Sequence, residues 1–99
     1  MDAFFCKLVP PRPTFAADMT PDERALMQSH AEHWNHYLTS GHVIAFGFVA
    51  DPAGPYGIGV VKFDDENTVR EFTAADPVIM ANRGFRYEIH AMPLGVIHL

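Results

Sequence analysis

Along the first half of the chain the hydrophobic positions change period twice. Residues 3–9 are apolar except for Lys7, a run that predicts a first strand. Pro10, Pro11 and Pro13 end it, because proline has no N–H to give to a ladder. Residues 10–19 are then expected to form a long irregular loop, the kind that tends to be functional inside a compact domain. Helical spacing follows. Thr20-Pro21-Asp22-Glu23 reads as a capping box, with Thr20 at the N-cap, Pro21 in the first helical position and Glu23 reaching back. This helix runs to about Ser40, and Gly41 is a natural stop.

The second half returns to strands. Residues 42–49 are apolar and rich in β formers, Asp51-Pro52-Ala53-Gly54-Pro55 supplies turn chemistry, and residues 56–63 make a third strand, so the pair reads as a hairpin. Asp64 or Asp65 caps a second, shorter helix ending near Ala75, and Asp76-Pro77 caps one further helical turn. Alternation is strict over residues 85–92: Phe85, Tyr87, Ile89 and Ala91 share one face, Arg86, Glu88, His90 and Met92 the other. The order βαββαβ predicts an α+β, ferredoxin-like fold: one domain over residues 1–99, with two helices on one face of a four-stranded antiparallel sheet.

Such a sheet leaves one face bare, and a solvated bare face shows polar residues at every second position. The first two strands do not. Phe4 and Phe5 are adjacent, and Val43, Ile44, Phe46, Phe48 and Val49 occupy both parities. The expectation is a homodimer in which a second copy covers the sheet.

Composition narrows the class. Seven basic against twelve acidic residues, with no basic stripe, argue against nucleic acid or an anionic membrane as partner. A single cysteine, Cys6, excludes an internal disulfide and suits a reducing compartment. No secretory leader and no membrane span is expected, so the chain reads as soluble and cytoplasmic.

Candidate chemistry centres on histidine. On a wheel of about 100° per residue, Leu26, Met27, Trp34, Tyr37 and Leu38 lie within about 80° of His30, which puts His30 in mid-stripe. His33 sits at the stripe's edge and His36 faces solvent. His30 has two readings: a hydrogen-bonded core histidine, or a general acid/base with an orienting partner. His30-X-X-His33 has a metal-like spacing, but His42, His90 and His98 are scattered, and no metal is expected. Asp76 is likewise a helix cap or a carboxylate that orients a histidine. Spacing alone does not pair the two. Cys6 suits packing in a strand, while Gly57 and Gly59 suggest close backbone approach. No serine elbow, phosphate loop or dinucleotide fingerprint occurs, so no cofactor is expected.

Taken together, several short segments resemble the YCII-related (YciI-like) family over nearly the whole chain. They are Arg12-Pro13-Thr14-Phe15, Asp18-Met19-Thr20-Pro21-Asp22-Glu23, Met27-Gln28-Ser29-His30 and Leu38-Thr39-Ser40-Gly41, then Asp51-Pro52-Ala53-Gly54, Ala75-Asp76-Pro77 and Gly84-Phe85-Arg86-Tyr87-Glu88-Ile89. The resemblance implies a dimeric α/β barrel similar to muconolactone isomerase. Its proposed site is a histidine on the first helix and the aspartate of the Asp-Pro signature, matching His30 and Asp76. The family includes a dehydrochlorinase of a chlorinated hydroxyhydroquinone, in which that pair does proton chemistry. One departure is Gly47-Phe48, where the family often has Gly-Pro.

The first functional expectation is therefore a cofactor-free enzyme of lyase or isomerase type, moving protons on a small cyclic or phenolic metabolite. His30 is the acid/base and Asp76 its orienting partner. Trp34, Tyr37 and Phe46 are candidate apolar walls, and Arg12 on the long loop is the candidate for an anionic or phenolate oxygen, or else a solvated loop charge or a dimer contact. The alternatives are a non-catalytic binding module using the same cleft, and an interaction domain whose pocket is filled.

Overall fold

A computed structural model describes residues 2–93 and residue 95. The chain forms β1 (Asp2–Val9), α1 (Phe15–Asp18), α2 (Pro21–Thr39), β2 (Val43–Val49), β3 (Tyr56–Phe63), α3 (Glu66–Ala74), α4 (Pro77–Met80) and β4 (Arg86–Met92). The four strands make one antiparallel sheet in the order β2-β3-β1-β4, the ferredoxin-like arrangement. Its centre is β1, paired with β3 on one side and β4 on the other. Among the described residues no helix is long and apolar enough to cross a membrane.

The sheet is held by one dry face. Phe4 and Cys6 of β1 and Val61 and Phe63 of β3 alternate inward, where they meet Trp34 of α2 and Val69 and Phe72 of α3 in a single buried cluster. Burying a side chain of this kind contributes roughly 1.5–3 kcal/mol. Phe72 is the hub: its ring lies 4.7 Å from that of Trp34 and 4.8 Å from that of Tyr37, both edge-on.

The helix signals act as local chemistry dictates. Thr20 Oγ1 accepts from the Glu23 amide at 3.2 Å, and the Thr20 amide donates to Glu23 Oε1 at 2.9 Å, closing the capping box. Gly41, with φ of +86°, turns the chain out of α2. Asp65, not Asp64, caps α3, accepting from the Thr68 amide. Leu38 stays 41% exposed despite its place on the stripe, because Tyr37 fills the inward side of that turn.

Two expectations change. The segment 10–19 is not wholly irregular: Phe15 is buried edge-on against Phe85, ring centres 5.0 Å apart, and this anchor winds residues 15–18 into the single turn of α1. The mixed parity of β2 has a local cause as well. A register shift between Val43 and Ala45 sets Val43, Phe46 and Phe48 opposite Val61, Gly59 and Gly57, all on the helix-facing side of β3. The apolar residues of the uncovered face come from β1 and β3, where Phe5 pairs with Val60 and Lys7 with Ile58, and from Ala45 and Val49 of β2, opposite Val60 and Tyr56.

Candidate functional site

Asp76 stands where α2, α4 and β4 converge. Its side chain is 0% exposed, so both oxygens must find donors inside the protein. Oδ1 accepts from the Val78 amide at 3.1 Å, the bond that caps α4. Oδ2 accepts three hydrogen bonds: from His30 Nδ1 at 2.7 Å, Trp34 Nε1 at 2.9 Å and the Tyr87 hydroxyl at 2.5 Å. The Trp34 N–H is shared with the Tyr87 oxygen, also at 2.9 Å. Capping and histidine binding are thus not alternatives. One carboxylate does both, with one oxygen for each.

Burial pushes the Asp76 carboxyl up. The hydrogen bond and charge of His30, the Tyr87 hydroxyl and the Val78 amide together reverse this and hold it below its ordinary value. Burial and the neighbouring Asp76 charge drive Tyr87 far above the usual phenol range, so it stays a donor. An ionised carboxylate only accepts, so His30 presents Nδ1–H to Asp76. Its Nε2 is left with a lone pair and, among the described residues, no hydrogen-bond partner.

His30, 14% exposed in its side chain, lies on the wall of a cavity of about 280 Å³ between α1, α2 and the ends of β2 and β3. Leu8, Phe15, Met27, Trp34, Phe46 and Phe85 make most of the apolar lining. The cavity is open, not filled. Gly47 and Phe48 line it too: a side chain at Gly47 would meet nothing within 4 Å, and Phe48 is 63% exposed.

Of the six residues singled out from sequence, the structure gathers four. His30, Trp34 and Phe46 line the cavity, and Asp76 lies directly behind His30. Tyr37 is in the aromatic cluster, edge-on to Phe63 and Phe72, and is not part of the cavity wall. Arg12 is not there either. Its guanidinium is forked onto Glu23 at 2.7 and 2.8 Å and bonds Asp18 Oδ1 at 2.8 Å, so two carboxylates of its own loop and the start of α2 engage it.

The remaining histidines are occupied or dispersed. His33 Nε2–H donates to the Phe72 carbonyl at 2.8 Å, and His42 Nδ1–H to the Lys62 carbonyl at 3.1 Å. His36 and His90 are exposed, and His98 lies outside the described residues. Among the described residues no three His, Cys, Asp or Glu side chains come together to hold a metal. Cys6 is fully buried, and burial pushes its thiol up to about 12, which makes it a packing group.

Sequence reasoning missed Tyr87 and the second role of Trp34, while the close backbone approach expected at Gly59 is present. A buried indole or phenol needs a hydrogen-bond partner, which is the signal that pointed to them. Gly59 is explained by Trp34: a Cβ there would lie 2.2 Å from the indole. The ring lies against bare β3 backbone, and that seat aims its N–H at Asp76.

A family model described as a YCII-related domain matches residues 3–93. No curated protein matches the chain.

Proposed function

The chain belongs to the YCII-related domain family, and from that premise we propose that it is a cofactor-free acid/base enzyme acting on a small cyclic or phenolic metabolite. One observation carries the reading: His30 Nδ1 is 2.7 Å from a buried, ionised Asp76, while Nε2 is uncommitted on the wall of an apolar cavity. Asp76 fixes the tautomer and offsets the charge that appears when Nε2 takes a proton. His30 is the acid/base, Asp76 its orienting partner, and Trp34 and Phe46 hold the substrate ring. Arg12 acts at one remove, tying the segment that carries Phe15 to α2 through Glu23.

The test is a screen of small phenols and lactones for conversion, or for exchange of ring protons with deuterated water, read by NMR. Wild-type turnover that falls by about 10²–10⁴ in His30→Gln supports the assignment. Undiminished turnover in that variant sinks it. A non-catalytic binding module is the second reading, favoured because, among the described residues, the wall carries one uncommitted imidazole. Saturable binding with no conversion of any bound compound would select it.

The proposal extends to a homodimer paired through the uncovered sheet face, supported by the half-buried Phe5, Ile58 and Val60 there. Light scattering should return twice the 11.0 kDa chain mass. A persistent monomer defeats the dimer and the barrel together. A cytoplasmic setting completes the proposal, consistent with a single cysteine, Cys6, and no internal disulfide.

A further inference from the structure

The cavity combines many apolar atoms with very little charge. Aromatic rings approach from four elements or their flanks: Phe15 from α1, Trp34 from α2, Phe46 and Phe48 from β2, and Phe85 just before β4. At about 280 Å³ it is at the small end of ligand sites, enough for one ring with short substituents. Among the described residues no lysine, arginine, aspartate or glutamate lines it. The Asp76 carboxylate stands behind His30, and the Lys7 ammonium lies outside the lining, over the Tyr56 ring at 4.3 Å from its centre. Arg12, the cation that would otherwise receive an anionic group, is held by Glu23 and Asp18. An anion entering here would lose its water, meet no cation in the lining and approach a buried carboxylate.

We propose that the cavity takes its ligand uncharged, as a small planar ring with one weakly acidic hydroxyl or C–H directed at His30 Nε2, and that it rejects carboxylates and phosphates of the same size. This rests on the acid/base reading of His30 and names the ligand class of that same site. The step balances as a single proton transfer. The O–H or C–H bond of the neutral ligand breaks, its electron pair stays on the ligand, and the proton bonds Nε2. The ligand anion is then formed inside the cavity, next to the imidazolium that Asp76 supports. Uptake of a neutral acid thus avoids the cost of desolvating a charge on the way in. Flat aromatic walls favour a ring over an open chain, since offset stacking adds to burial.

Trp34 is the chain's one tryptophan and lies on the cavity wall, so its fluorescence reports occupancy directly. Phenol and benzoate at pH 7 are the probes, alike in ring size and different in charge. Phenol should quench saturably, and benzoate should bind at least about tenfold more weakly. In Ala31→Lys, which adds a cation at an exposed position on the rim, benzoate should gain on phenol. Benzoate binding as tightly as phenol to the wild-type chain, no saturable phenol binding, or no gain for benzoate in Ala31→Lys each overturns the proposal. His30→Gln separates this failure from that of the acid/base reading. If the variant keeps the phenol preference but also keeps turnover, the ligand class stands and the catalytic assignment falls. If it loses turnover while benzoate binds best, the reverse holds.

Discussion

Glu23 and Asp76 both stand at the start of a helix, both hold a basic side chain, and both have carboxyls below their usual range. Glu23 sits in the capping box of α2 and takes the fork of Arg12, with its own side chain 11% and that of Arg12 34% exposed. Its lowered value, about 2, comes mainly from the Arg12 hydrogen bonds and then from the Thr20 amide. Asp76 takes His30, Trp34 and Tyr87 with no exposure at all. The partner makes the difference. Arginine keeps its charge at any ordinary pH and all three of its nitrogens donate to oxygen here, so the first pair can only fasten. Histidine gains and loses a proton near neutrality and has a second nitrogen to present, so the second pair can also move a proton.

The sharpest way to break the comparison is to remove the buried carboxylate. Asp76→Ala strands the Trp34 N–H, the Tyr87 hydroxyl, the Val78 amide and one His30 nitrogen together. A loss of about 3–5 kcal/mol in urea unfolding is expected, as for other broken buried pairs. Turnover should vanish as well. A loss below about 1 kcal/mol would mean that the network contributes little to the fold.

His30→Gln isolates chemistry from packing. The amide fills similar space and can still donate to Asp76, so the unfolding midpoint should move little. Activity on a true substrate should drop by about 10²–10⁴. Parallel loss of fold and activity would return His30 to a structural role.

Gly59→Ala tests how the network is seated. A methyl group 2.2 Å from the indole must push Trp34 off the β3 backbone and its N–H away from Asp76. A cost of roughly 1–3 kcal/mol is expected, with a shifted tryptophan emission spectrum. An unchanged spectrum would show that the ring finds room elsewhere.

What the chain disclosed in advance follows the same division between local and distant. The capping box spans four consecutive residues, and Asp76-Pro77 is a dipeptide, so both helix starts could be read directly. Arg12 was legible as a loop cation but not in its partners, because Asp18 and Glu23 reach it only once Phe15 winds α1. His30 and Asp76 are 46 positions apart, and no periodicity joins them; the family resemblance did. Tyr87 was visible only as one member of an alternating strand, with nothing to say that its hydroxyl would reach a carboxylate. The β2 register shift was not legible at all, since nothing in residues 43–45 tells an inserted residue from a continued alternation.

The smallest effect should come from Glu23→Gln. Glutamine at this helix position still accepts from the Thr20 amide, so the capping box survives while the ion pair to Arg12 goes. Arg12 is a third exposed and keeps its bonds to Asp18, so although Glu23 is largely buried a Tm fall of less than about 4 °C is expected, with turnover little changed. Acid and salt then tell the two carboxylates apart. Each folded value is lower than the unfolded one, so the unfolded chain binds more protons and stability rises with pH. Both contributions are fully present above the ordinary carboxylate range and drain away as pH falls below about 4, for Glu23 down towards 2. Glu23→Gln should flatten part of that acid slope, leaving the part that Asp76 supplies. Raising salt at neutral pH should weaken only the Arg12–Glu23 contribution, which water and ions reach, and should have no effect on the variant beyond the general one. If Glu23→Gln instead abolished turnover while the chain stayed folded, the surface pair would share in the chemistry and the division between fastening and proton transfer would fail.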